Sequence, residues 1–406
     1  MKISLKNQAR TALVYFLLAA LLGTMLRMFQ WQPFPVNFRY VVHAHSHIAL
    51  LGWVYVALTT LIYKQTLIHT FSQRRYRQIF WLTQGTLLGM LCTFPFQGYA
   101  LFSIIFSTLF LLVSYRFAWA FFRFAARELR SSNAYRFLKA AVFYMVFSSV
   151  GPWSLGLIMS TVGVASPWYR NAVYFYLHFQ YNGWMPMALL GLLILAAERQ
   201  GIRLPGQKFK WIFRCLNAGI VFSFLLSVLW MEPPALIYLV AGAGALLQAT
   251  GYALLAQGVY REWGKFRQGF TLLQRRILGL SAVFLGIKLL LQILTSLPYF
   301  ARLAASVLEF TIGYLHWTFL GVISLCLFVL LDFYRLIRIP PVALRVYLAG
   351  FVVTESLIIY KGLAAWVHWP LMGSYQAYLA IGSALLPLGI AGWIFRRSRD
   401  ISKGNP

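Results

Sequence analysis

Twelve apolar stretches, each long enough to cross a bilayer, leave this chain of 406 residues little room for anything else. At about 1.5 Å of rise per residue, roughly 20 apolar residues span a hydrocarbon layer of ~30 Å. The stretches cover residues 11–29, 41–63, 79–96, 99–122, 138–164, 172–197, 211–231, 234–257, 274–297, 303–332, 342–366 and 374–395. No connection between them holds a soluble domain. Only 11% of residues are charged and 60% are hydrophobic, less than half the charge of an ordinary soluble chain. Soluble, disordered and fibrous classes are excluded. The expectation is an all-α polytopic membrane protein with about twelve transmembrane helices, one domain over residues 1–406.

The first stretch follows Lys2, Lys6 and Arg10, which imitates a secretion signal. It lacks a small-residue cleavage site and leads straight into another span, so it reads as a retained helix. Cys92, Cys215 and Cys326 lie singly in apolar surroundings, with no CxxC or CxxCH spacing. Zinc-ribbon and c-type haem attachment are therefore not written in the chain. No periodic repeat is visible by inspection.

A net charge of +28 would suggest nucleic acid on a soluble protein. Its placement argues otherwise. Assigning the connections alternately to two sides puts 30 of the 36 Lys and Arg on the side of the N-terminus. The other side receives Arg27, Arg39, Arg170 and Arg302, while Lys288 and Lys361 lie within spans. This bias predicts both termini in the cytoplasm and a location in the cytoplasmic membrane. The excess charge then reads as topology and attraction to anionic membrane lipid, with no nucleic-acid partner.

Polar groups inside a bilayer are costly and need partners. Six of the seven histidines lie in or beside spans: His43, His45, His47, His178, His316 and His368. His69 falls in a connection and reads as solvated. The second span opens Arg39-Tyr-Val-Val-His43-Ala-His45-Ser-His47. On a helix His43 and His47 lie about 40° apart, while His45 points nearly opposite. Imidazole is the commonest ligand of haem iron and of copper or zinc; the plainer alternative is a polar cap facing water. The sixth span offers Tyr174, His178, Gln180, Tyr181 and Asn182 in one region, as metal ligands or as interhelical hydrogen-bond partners. The tenth carries Glu309-Phe-Thr311-Ile-Gly313-Tyr314-Leu-His316, with Glu309 and His316 nearly on one face. Lys288, Glu355 and Lys361 are the remaining charges inside spans; a proton route and structural ion pairs both suit them.

Histidines in spans two, six and ten of a twelve-helix bundle resemble subunit I of the haem-copper oxidase superfamily, closest to the C-type (cbb) oxidases and nitric oxide reductases. Arg39 and His43 match the family's opening of span two, where the His ligates a low-spin haem. Tyr174 to His178 resembles the stretch whose His binds the second metal. Thr311-Ile-Gly313-Tyr314-Leu-His316 resembles the family's Thr-x-Gly-His-x-His. His316 falls on the low-spin position, and Tyr314 replaces the high-spin ligand. The seventh span lacks the family's His pair. The resemblance thus implies one low-spin haem b between His43 and His316, with Arg39 at a propionate. The dinuclear oxygen- or NO-reducing site is degraded, and the function is electron transfer with cytochrome c or a redox-partner subunit.

A second reading keeps catalysis. His178, with His45, His47 or Tyr181, holds copper or iron beside a second haem at Tyr314, and Glu309 or Glu355 supplies protons. The catalytic candidates are then Tyr314, Glu309 and Tyr181. A third reading is a cofactor-free membrane transporter. A fourth, near the first, is the NnrS-like group of haem- and copper-containing membrane proteins, which this chain resembles in the His-Ala-His opening of a span.

Overall fold

Without water to bond, backbone N–H and C=O groups inside a bilayer must satisfy each other within a helix or a closed barrel. The computed structural model describes residues 3–29, 31–32, 34–202 and 206–395, and these form helices and short connections with no strand among them. Among the described residues, twelve helices are long and apolar enough to cross a membrane. They are α1 (Leu5–Met28), α2 (Phe38–Leu67), α3 (Gln73–Gln97), α4 (Leu101–Phe124), α5 (Asn133–Thr161) and α6 (Pro167–Glu198). The chain continues with α7 (Gly206–Met231), α8 (Ala235–Arg261), α9 (Leu272–Thr295), α10 (Leu308–Phe333), α11 (Pro341–Val367) and α12 (Tyr375–Ile394). The protein is an all-α, integral membrane bundle. Every span expected from the sequence is present, with ends moved by less than two turns. Among the basic residues used for sidedness, Lys2, Arg203, Arg396, Arg397, Arg399 and Lys403 lie outside the described residues.

Local chemistry sets the helix ends. The Ser4 hydroxyl accepts from the Asn7 N–H at 3.2 Å to start α1, and Ser166 caps α6 ahead of Pro167. Thr271 and Gln274 cap α9 reciprocally. Helix α3 stops at Gly98, whose φ is +60°; a Cβ there would lie 2.4 Å from the Tyr40 ring. The tenth stretch begins later than expected. A short helix, Pro298–Ser306, ends at extended Val307, and α10 starts at Leu308.

Three helices make the centre. In α2, α6 and α10, 83, 78 and 61% of the apolar window is buried, against 28–50% in the other nine. Each of the three touches the other two, and their neighbours pack around them. Trp53 of α2 donates to Ser324 of α10 at 2.9 Å and stacks on Phe16 of α1 at 4.8 Å. At the N-terminal face Lys64 donates to the Tyr334 carbonyl and Tyr334 donates to that of Leu192, both at 2.8 Å. These bonds join α2, the end of α10 and α6.

The same three helices reveal a repeat of four spans. Each carries π-helical turns that begin directly after a histidine: Ile48–Tyr55 after His47, Phe179–Trp184 after His178, and Trp317–Ser324 after His316. Each histidine is followed five residues later by a glycine: Gly52, Gly183 and Gly321. Against each glycine sits an aromatic ring from the preceding span. A Cβ would come within 2.7 Å of Tyr15, 2.8 Å of Tyr144 and 2.9 Å of Phe284, respectively. Lipid tails are as apolar as leucine, so helices in membranes associate by close packing, which glycine permits. A wide turn and a glycine together let a whole ring settle against the inner helix. The sequence reading found no repeat because the shared signal, His-x4-Gly, is only two residues.

Candidate functional site

The inner helices bring one pair of histidine rings together edge to face, and it is not the expected pair. His45 of α2 and His316 of α10 have ring centres 6.4 Å apart, with their planes at 75°. The sequence reading paired His43 with His316. His43 lies two residues earlier, roughly 200° around the helix, and its ring meets Tyr99 at 4.6 Å and Phe94 at 6.2 Å on the α3 side. His47 shares that face, stacked on Phe94 at 4.4 Å. The expected 43/47 face is thus present, but it is turned away from α10.

Both facing rings are oriented by their rear nitrogens. Nδ1 of His45 lies 2.8 Å from the Ala19 carbonyl of α1, and only an N–H can satisfy that contact. Nδ1 of His316 lies 3.2 Å from Oε1 of Glu355 on α11, and with the carboxylate ionised this nitrogen is the donor. Nε2 is left as the lone-pair nitrogen of each ring, and among the described residues neither makes a hydrogen bond. Gly23 gives His45 its place: a Cβ there would lie 3.0 Å from Cε1. Gly313, by contrast, is not required for close approach, since a Cβ there would meet only ordinary contacts from 3.5 Å outward.

Charge gathers around this pair. Glu355 is 1% exposed, and its Oε2 has no hydrogen-bond partner. Arg27, at the end of α1, is within electrostatic reach of Glu355, Glu309, Tyr375 and His45. Arg39, expected at the site, is exposed at the first turn of α2 and lies nearest His43. Arg27, not Arg39, is the arginine within electrostatic reach of His45. Glu309 is engaged by Lys361 at 2.8 Å in a half-buried ion pair, and with His316–Glu355 this links α10 to α11 twice.

His178 belongs to a separate network. Its Nε2–H donates to the Ile220 carbonyl at 2.8 Å, and its Nδ1 accepts from the Asn182 amide at 3.1 Å. Asn182 accepts in turn from Lys288 at 2.5 Å, and Lys288 also donates to Gln292 at 2.6 Å. With both nitrogens engaged, His178 offers no lone pair to a metal. Tyr181 and Tyr314 meet edge to face at 6.3 Å, so Tyr314 points toward α6 and away from His45. Nδ1 of His47 donates to the His43 carbonyl at 2.8 Å, and Tyr99 donates to its Nε2 at 3.4 Å. Among the described residues no three His, Cys, Asp or Glu side chains gather as a metal site would require. The donor set therefore does not fit the copper site of the second reading.

A metal held between two imidazoles fits better. With metal–nitrogen bonds of about 2.0–2.1 Å and each ring centre about 1 Å behind its nitrogen, opposed rings sit about 6 Å apart. The observed 6.4 Å between ring centres is of that size, with the ring planes at 75°. Metal-binding histidines almost always donate their other N–H to a carboxylate or a backbone carbonyl. Here one ring has each kind of partner. His316 keeps 26% of its side-chain surface accessible and His45 is half-buried. The signal for Arg27 and Ala19 lay in α1, a span whose sequence carries no histidine. Neither protein-family profiles nor curated proteins match the chain.

Proposed function

We propose that this protein is an electron-transfer membrane protein with an architecture like subunit I of the haem-copper oxidases, and that His45 and His316 would hold one low-spin haem b. The observation that carries the reading is the imidazole pair with ring centres 6.4 Å apart, each ring anchored through Nδ1. A haem between two imidazoles exchanges single electrons and has no open position for substrate.

The chain's own residues do the rest. The Ala19 carbonyl and Glu355 hold the two rings in the tautomer that presents Nε2. Arg27 supplies a positive charge within electrostatic reach of His45 and Glu355, suited to a haem propionate. Burial of Glu355 at 1% exposure keeps its interaction with His316 strong, because little water screens it. The bias of Lys and Arg toward the N-terminal face supports termini in the cytoplasm and a location in the cytoplasmic membrane. A cytochrome c or a redox-partner subunit is the corresponding electron partner. Reduction of oxygen or nitric oxide is not part of this reading, because Tyr314 and His178 lack the companions a second centre needs.

The test is a pyridine haemochrome assay with metal analysis on protein purified from haem-replete cells. One haem b per chain without stoichiometric copper supports the proposal. Stoichiometric copper favours the reductase reading, and absence of haem favours the cofactor-free transporter.

A further inference from the structure

Helix α3 carries charge at its start and apolar groups below, on a face that the electron-transfer reading does not use. Arg74, Arg77, Trp81 and Gly85 recur at three- and four-residue spacing, so they share that face. With Leu109 and Arg116 of α4 they line an open groove of about 920 Å³, near the top of the roughly 300–1,000 Å³ range of ligand sites. Phe106 of α4 closes its deep end. The ring packs over Gly89, where a Cβ would lie 2.3 Å from it. The floor is left open at Gly85, where a Cβ would meet nothing within 4 Å. From Arg77 to Gly89 is about 18 Å along the helix, close to the ~15 Å of hydrocarbon in one leaflet.

The charge in this groove is concentrated and unanswered. Among the described residues, Arg74, Arg77 and Arg116 form no ion pair, side-chain hydrogen bond or aromatic contact. Arg116 stands about 12 Å inside the end of α4, a depth at which an arginine without a counter-charge is costly. The arginine end opens at the N-terminal face, and the exposed Trp81, Leu82 and Leu109 continue the groove into the span. An anion with a hydrocarbon tail complements both halves. A soluble anion would complement the first half alone. A partner helix would have to carry its own acids into the membrane. Basic pockets between spans are a recurrent setting for acidic lipid headgroups.

We infer that the groove between α3 and α4 binds one anionic phospholipid from the leaflet at the N-terminal face. Arg74, Arg77 and Arg116 hold its phosphate, and one acyl chain lies over Gly85 between Trp81 and Leu109. Guanidinium groups suit that task, because each offers paired N–H donors to two phosphate oxygens. The site stands independently of any haem.

Native mass spectrometry of the full-length protein, stripped of lipid in detergent, tests the inference. The protein is titrated with dioleoyl-phosphatidylglycerol or with dioleoyl-phosphatidylcholine, which has the same chains and no net charge. The first phosphatidylglycerol is expected to bind several-fold more tightly than phosphatidylcholine. Arg77→Gln and Arg116→Gln should each weaken it about 5-fold, the worth of one basic residue near a charged lipid surface. Arg75→Gln removes an equal charge from an exposed position outside the groove and should leave it unchanged. Gly85→Leu keeps every charge and fills the chain path without touching protein at its Cβ, so it should also weaken binding several-fold. Equal affinity for the two lipids overturns the site, and so does an Arg75→Gln loss matching that of Arg77→Gln. Unchanged binding in Gly85→Leu, or displacement of the lipid by equimolar inorganic phosphate, assigns the arginines to a free anion and overturns the lipid. A stoichiometric polypeptide held in the groove in place of lipid overturns it as well.

Discussion

Replacing Asn182 with Leu tests how the interior holds its buried lysine. Asn182 is 3% exposed and stands between Lys288 and His178, accepting from one at 2.5 Å and donating to the other at 3.1 Å. Leucine fills nearly the same volume and makes neither bond. The amine of Lys288, itself 3% exposed, would keep Gln292 alone as acceptor. Removing one partner of a buried charge costs about 3–5 kcal/mol, and an orphaned neutral acceptor such as His178 Nδ1 about 1–3 kcal/mol. Interhelical hydrogen bonds in membranes average under about 1 kcal/mol, so Asn182→Leu is expected to cost well above that, about 3–5 kcal/mol. Lys288→Met orphans two carbonyl oxygens but also removes the amine from low dielectric, so about 1–3 kcal/mol is expected. In the double variant the amine no longer needs Asn182, and the loss should fall short of the sum by about 2 kcal/mol. Unfolding by SDS titration in mixed micelles measures all three. Additive losses, or an Asn182→Leu cost under about 1 kcal/mol, would refute the coupling.

Four further expectations follow from other contacts. Gly183→Ala brings a Cβ within 2.8 Å of the Tyr144 ring and is expected to destabilise by about 1–3 kcal/mol. Gly286→Ala meets nothing within 4 Å on α9, so its helix propensity should make it neutral or stabilising by up to about 1 kcal/mol in the same titration. Neutralising the half-buried pair by Glu309→Gln is expected to change stability by at most about 1 kcal/mol; a larger loss would mean the pair is screened less than its exposure implies. In haem-loaded protein, Glu355→Gln weakens a charge-assisted bond to His316 by about 1 kcal/mol. Since the carboxylate favours the oxidised metal, the midpoint potential in spectroelectrochemical titration should rise by about 40 mV, and an unchanged or lower value would exclude that role.

Much of the architecture is readable from residues alone, because a bilayer permits so few solutions. Twelve apolar stretches can only be twelve helices, and histidines in spans two, six and ten mark the three that become central. Helical periodicity also separates His45 from His43 and His47 correctly. What periodicity cannot supply is rotation: whether the 43/47 face or the 45 face turns toward α10 depends on Ala19 and Gly23 on one side and on Phe94 and Tyr99 on the other. Those neighbours carry no signal of their own. The family pattern led to His43 and Arg39, whereas the packing brings His45 to His316 and puts Arg27 within electrostatic reach of His45 and Glu355. The His178 network was open for a similar reason, since Asn182 and Lys288 are 106 residues apart and their bond exists only once α6 and α9 are side by side. The His-x4-Gly repeat was present in the sequence throughout, and it becomes visible as a signal once the wide turns and their seated rings are seen together.

The most direct test of the central claim is the reduced-minus-oxidised optical spectrum of three purified proteins: unaltered, His43→Ala and His45→Ala. The account expects a sharp low-spin α-band, insensitive to carbon monoxide, in the unaltered protein and in His43→Ala. In His45→Ala the band should be lost or become carbon monoxide-sensitive. Loss in His43→Ala with retention in His45→Ala would contradict it, and so would the absence of any haem band in all three.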